Sequence, residues 1–203
     1  MLSPDLICSM KKHLDLGCGS SPRNPYGADH VYGIDIRAGL GDNIASANLA
    51  VQPIPFPDNY FSSVSAYDFL EHVPRSVVDV GSKTSIFPFI ELMNEVWRVL
   101  EPDGRFYAVT PAYPSYKAFV DPTHVNFIAK KTHEYFVGAM PLGRMYGFTG
   151  YFELIRAQRI RPRVVYEPMH PAWHERMERL KDRLTLRCSH MVWEFSKNTN
   201  SQS

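Results

Sequence analysis

The chain has 203 residues, 44% hydrophobic and 21% charged, with 22 Lys and Arg against 21 Asp and Glu. That is apolar enough for one packed core and too weakly charged for a disordered chain, so a single domain over residues 1–203 is expected. No apolar run reaches the ~20 residues of a membrane-spanning helix, the N-terminus lacks the order of a signal peptide, and three cysteines (Cys8, Cys18, Cys188) without paired spacing argue for a reducing cytoplasm and against a disulfide framework or structural zinc.

Residues 12–16 alternate toward a glycine pair, Gly17 and Gly19, and read as a strand ending in a tight turn. A second strand is predicted at 31–36, after which Gly39 and Gly41 discourage a helix. Pro22 and Pro25, with Gly27 following, leave only about a dozen residues between these strands, so the first crossover helix should be short or missing. A weak third strand is expected at 48–50. Pro53, Pro55 and Pro57 then punctuate a loop before a strand at 61–67 and a short helix at 68–73.

Apolar residues at three- and four-residue steps predict a helix over 88–100, with Pro88 tolerated in its first turn. Glu101-Pro102-Asp103-Gly104 turns it into a strand at 105–110. Residues 111–130 read as a loop carrying Asp121-Pro122-Thr123-His124. A helical piece near 132–139, strands near 151–160 and 162–166, a charged helix near 172–185 and a last strand at 190–195 follow. The alternation predicts a three-layer α/β sheet. Residues 156–203 hold 10 basic against 5 acidic side chains, but Glu175, Glu178 and Asp182 interleave with Arg176, Arg179 and Arg183 as on a solvated helix face, so a nucleic-acid partner is not expected.

Gly17 and Gly19 let backbone approach a ligand closely, and Asp35 ends the next strand 20 residues after Asp15, where an acid can accept both ribose hydroxyls. Pro22 stands where a dinucleotide fingerprint has its third glycine, and no helix N-terminus follows to hold a pyrophosphate. A nucleoside without phosphates fits better than a nicotinamide or flavin cofactor.

Leu14-Asp15-Leu16-Gly17-Cys18-Gly19 resembles the first motif of class I S-adenosylmethionine-dependent methyltransferases, and Gly33-Ile34-Asp35-Ile36 resembles their ribose-binding segment. In the same order, 55–61 is similar to the family's loop before strand four, 67–73 to the segment closing the pocket after it, and Leu-Glu-Pro-Asp-Gly at 100–104 to the turn into strand five. The best match is the type 11 branch. The resemblance implies a Rossmann-like class I sheet, S-adenosylmethionine as cofactor, and a binding set of Asp15, Gly17, Cys18, Gly19, Asp35, Ile36, Asn48, Leu49 and Tyr67. Asn48 departs from the aspartate usual there; its side-chain carbonyl can accept from an adenine amino group, and its other reading is a surface turn residue.

Methyl transfer to a hydroxyl needs a proton acceptor, for which histidine is suited near neutral pH. His72 flanks the cofactor segment and His124 lies in the loop that in this family faces the acceptor, so both are catalytic candidates, with His124 preferred and Asp121 placed to orient it. Each also has a structural reading, His72 and Glu71 as braces of a short helix and His124 as a loop residue held by Asp121. The Asp121-Pro122-Thr123-His124 run resembles one in branch members associated with sugar and glycan methylation, which implies a small-molecule or glycan acceptor. Methylation of nitrogen or carbon, or a non-catalytic cofactor- or RNA-binding protein on the same fold, remain alternatives. No metal ligands are assigned: Pro171 separates His170 from His174, and no acid adjoins them.

Overall fold

The computed structural model describes residues 10–81, 83–161 and 188–198. In chain order its strands are β1 (Lys12–Leu16), β2 (His30–Asp35), β3 (Ile44–Ser46), β4 (Phe61–Tyr67), β5 (Val77–Asp79), β6 (Thr84–Ile86), β7 (Leu100–Pro111), β8 (Phe152–Ile160) and β9 (His190–Lys197). Helix α1 (Pro88–Val99) precedes β7 and the one-turn α2 (Lys117–Val120) follows it. Seven strands form one sheet in the order β3-β2-β1-β4-β7-β9-β8, while β5 and β6 pair separately. Neighbours from β3 to β7 run parallel, and β9 is antiparallel to both β7 and β8. Strand order reverses between β1 and β4, so a crevice opens at the carboxyl ends of these strands.

Alternation along the strands assigns the two faces of the sheet different chemistry. On one face Leu14, Leu16, Val64, Ala66, Phe106, Ala108, Trp193 and Phe195 join Phe89, Leu92, Met93, Val96 and Val99 of α1 in the main core. Burial of each large side chain is worth ~1.5–3 kcal/mol, so this face carries most of the apolar stabilisation. The opposite face has a small cluster of Tyr67, Tyr107, Val109 and Val192 with Tyr26 packed on it, and beside that the buried polar residues His13, Asp15, Ser63 and Ser65.

Residues 17–29 run through turns without a helix, as Pro22, Pro25 and Gly27 predict. Tyr26 of this segment covers the second face in place of a helix and donates to Glu194 Oε1 at 3.1 Å. The third strand, however, is at Ile44–Ser46 rather than 48–50. Asn48 instead opens a turn, its Oδ1 accepting from Ala50 N at 3.1 Å and its carbonyl accepting from Val51 and Gln52. Asparagine side chains compete in this way for backbone donors that a strand would use. The piece near 132–139 is a four-residue 3₁₀ turn, Thr132–Tyr135, that gives way before Gly138 with φ of +90°. The predicted strand at 162–166, the helix at 172–185, and His170 and His174 lie outside the described residues. Among the described residues no helix is long and apolar enough to cross a membrane.

Candidate active site

β1 ends at Leu16, and the chain reverses through Gly17 and Gly19 with φ of +66° and +62°. Side chains rarely adopt that region, and a Cβ on Gly17 would fall 2.5 Å from the Phe69 ring. The turn is fastened to β2, since Cys18 N donates to Ile34 O at 3.1 Å and Gly19 N to Asp35 Oδ2 at 3.0 Å. The result is a cup of about 460 Å³ lined by Asp15, Gly17, Cys18, Gly19 and Tyr67, with Ser20, Ser21, Arg23 and Arg37 completing the wall.

Both acids of the cup already have partners. Asp35 Oδ1 accepts from Arg37 N and Nε at 3.0 and 2.8 Å, and Arg37 Nη2 reaches Oδ2 at 3.3 Å. These bonds, first among them the guanidinium's, hold the Asp35 carboxyl below the usual carboxylate range. Arg37 thus stands in front of Asp35 as part of the wall. Asp15 accepts from Ser65 Oγ at 2.6 Å and Arg23 N at 2.8 Å, yet burial pushes its pKa up to about 6. Ser65 Oγ–H is engaged in donating to Asp15, so the 2.9 Å contact with His13 makes His13 Nε2 the donor and Nδ1 the acceptor from Ser63 Oγ at 2.7 Å. Burial lowers the His13 pKa to about 4, which keeps this ring neutral beneath the cup.

The next residue after Tyr67, Asp68, lines a second pocket at the ends of β4 and β7, together with Glu71, His72, Tyr116, Lys117, Asp121, His124 and His190. Glu71 and His72 sit on a 3₁₀ turn, Leu70–His72. The loop bearing His124 is pinned there because Val125 N and Asn126 N both donate to the Glu71 carbonyl at 2.9 Å. The His72 and His124 rings meet edge-on, with centroids 4.8 Å apart. His124 Nδ1 contacts Ala118 O at 3.3 Å, and its Nε2 lies 3.9 Å from both Glu71 Oε1 and Asp121 Oδ2. The Glu71 side chain is 2% exposed; Oε2 accepts from Thr110 Oγ1 at 2.8 Å, while Oε1 has no hydrogen-bond partner. Desolvation raises its pKa to about 7.

Of the sequence-predicted cofactor residues, Asp15, Gly17, Cys18, Gly19 and Tyr67 line the cup, and Asp35 lies behind Arg37. Ile36 is 67% exposed, Leu49 is buried, and Asn48 spends its side-chain carbonyl on its own turn, so these three do not line it. His72 and His124 come together in one pocket. Sequence reasoning missed Glu71 as a member of the histidine pocket and Arg23 and Arg37 as wall residues. Glu71 adjoins His72 in the sequence, but its burial and its meeting with His124, 53 positions later, have no local signal.

A mostly parallel sheet whose order reverses beside a glycine turn, with an acid closing the second strand, defines a Rossmann-like class I methyltransferase fold. The methyltransferase domain family of type 11 matches residues 14–108. The fold is similar to a chain in the complex between the Haloferax volcanii Trm112 methyltransferase activator and its methyltransferase (13% identity, TM-score 0.58, 96% of this chain and 85% of that one). It is likewise similar to an S-adenosylmethionine-dependent methyltransferase of Archaeoglobus fulgidus (17%, 0.51, 93% and 87%) and a methyltransferase of Bacillus halodurans (14%, 0.54, 93% and 93%). No curated protein matches the chain in sequence. Residues 14–108 match a methyltransferase domain, and on that match the chain is an enzyme with S-adenosylmethionine as its cofactor. The cup fits that group, having an acid for a ribose diol, backbone exposed at the glycine turn and no helix N-terminus for phosphate.

Proposed function

We propose that this single-domain enzyme methylates a hydroxyl group of a sugar, glycan or small metabolite, in the cytoplasm. The observation that carries the reading is the histidine pocket beside the cofactor cup, on the same edge of the sheet and separated from it by the step from Tyr67 to Asp68. Asp68, Lys117 and Asp121 give that pocket a polar rim suited to a polyol, and Tyr116, 72% exposed, offers a ring for the apolar face of a sugar.

Asp35 receives the ribose hydroxyls after Arg37 turns aside, and the backbone of 17–19 with Asp15 faces the amino-acid end of the cofactor. When bound, S-adenosylmethionine supplies a methyl group on a positively charged sulfur, whose carbon–sulfur bond breaks as the acceptor oxygen bonds to that carbon. His124 takes the hydroxyl proton on Nε2, the nitrogen left with a lone pair by the Nδ1 contact to Ala118 O. The carboxylates of Glu71 and Asp121, each 3.9 Å away, favour the imidazolium that results. Positioned proton transfer of this kind is worth ~10²–10⁴-fold in rate.

The test is incubation with methyl-labelled S-adenosylmethionine and a panel of hydroxyl, amine and carbon acceptors, with the label located by mass spectrometry. Label on oxygen is the expected outcome. Label confined to nitrogen or carbon overturns the acceptor reading, and absence of cofactor binding overturns the site.

A further inference from the structure

The histidine pocket contains more lone pairs than its hydrogen bonds satisfy. Thr123 Oγ1 donates to Asp121 Oδ1 at 2.6 Å, so its 3.0 Å contact with His72 makes His72 Nδ1 the donor and leaves the lone pair on Nε2. His124 reaches the same tautomer through the Ala118 carbonyl, which can only accept. Fixing Nδ1–H on oxygen so that Nε2 stays unprotonated is the outer arrangement found around metal-bound histidines.

Facing His124 Nε2 is Glu71 Oε1, on a side chain 2% exposed and without any hydrogen-bond partner. One donor atom from each of Glu71, His72 and His124 lies within 4.8 Å of the other two. The 3.9 Å from Glu71 Oε1 to His124 Nε2 exceeds a hydrogen bond, so a proton on that nitrogen does not satisfy the carboxylate. An ion with bonds of about 2.0–2.2 Å to each atom bridges such a pair at an open angle, and the third donor, within 4.8 Å of the other two, joins them when the His72 side chain moves in. The separation is too long for a hydrogen bond, and the two atoms must close by roughly 0.3–0.6 Å to reach the spacing of tetrahedral ligands.

We propose that Glu71, His72 and His124 bind one divalent first-row transition metal ion, with Asp121 Oδ2, 3.9 Å from His124 Nε2, as a further oxygen at the open side. Two imidazoles and a carboxylate suit zinc, cobalt or iron better than magnesium, whose preference is oxygen. The ion refines the proposed acceptor chemistry and rests on that reading only for its catalytic consequence. Where the ion binds, it replaces His124 Nε2 as the group that activates the hydroxyl: the lone pair becomes a ligand, and the ion-bound hydroxyl loses its proton to solvent through the pocket mouth.

The experiment uses the full chain, stripped with chelator and titrated with Co²⁺ by visible absorption and with Zn²⁺ by calorimetry. One site per chain is expected, with affinity lowered at least tenfold in each of Glu71→Gln, His72→Ala and His124→Ala and retained in the double variant His170→Ala/His174→Ala. Circular dichroism identifies a variant that fails to fold, and the exposed ring of His72 gives the substitution least able to disturb the core. No saturable Co²⁺ or Zn²⁺ binding by the wild type, or loss only in the His170/His174 double variant, overturns the site. Parallel titration with S-adenosylmethionine separates the two readings: cofactor binding without metal removes the ion alone, and metal binding without cofactor removes the cup alone.

Discussion

In the cofactor cup each carboxylate oxygen is engaged, Asp35 by Arg37 and Gly19 and Asp15 by Ser65 and Arg23, whereas in the histidine pocket Glu71 leaves Oε1 without a partner. The cup is therefore held in shape before its ligand arrives, and binding there is an exchange of partners. The histidine pocket concentrates lone pairs, and Glu71 Oε1 accepts no hydrogen bond from the described residues, so a cation or an acceptor proton completes it. A buried, unpaired acceptor disfavours the folded state by ~1–3 kcal/mol, and such a group is retained where function uses it.

The strongest way to break the comparison is to remove the shape of the cup. Gly17→Val adds both an unfavourable φ and a clash with Phe69, and should weaken S-adenosylmethionine binding more than ~100-fold in calorimetry. Near-native affinity would show that the turn does not contact the ligand. On the other side, His124→Ala should lower turnover of a hydroxyl acceptor by ~10²-fold while cofactor affinity stays within about twofold. A change in affinity without a change in turnover would move His124 into the cup.

Smaller effects sharpen the exchange of partners. Asp35→Ala removes a charge-assisted bond to the ribose and should weaken cofactor binding about tenfold, measured by the same titration. Asp15, with its pKa near 6, is mostly ionised at pH 7.5 and mostly neutral at pH 5. The cofactor's cationic amino group favours the carboxylate, so affinity should fall by up to ~10-fold as pH drops through 6, with Asp15→Asn flattening the profile. His13, kept neutral by burial, does not gain charge over most of that window. The smallest change has the opposite sign: Arg37 is 63% exposed, so solvent weakens its ion pair with Asp35, and Arg37→Ala should tighten cofactor binding by up to ~5-fold. Weaker binding in that variant would make Arg37 a cofactor contact rather than a competitor.

Much of the cup is written locally. Glycines at 17 and 19 and an acid at 35 follow directly on strands whose alternation is plain, and turn geometry depends on the residues in the turn itself. The absent crossover helix was legible for the same reason, since Pro22 and Pro25 act on their own backbone. The end of β3 was not, because Asn48 chose between two local hydrogen-bonding schemes of similar strength, a strand or its turn with Ala50.

The sequence alone determined the strand–turn–strand cup, the helix α1 and the resemblance that implied the cofactor, because each rests on periodicity or on residues within a few positions of one another. Tertiary structure decided what the groups in those elements do. Only the folded chain places Arg37 across Asp35, buries Asp15 against Ser65 from 50 residues away, and turns Glu71 and His72 toward His124. Desolvation and the direction of a lone pair are set by neighbours distant in sequence, and so are the charge states and binding capacity that depend on them.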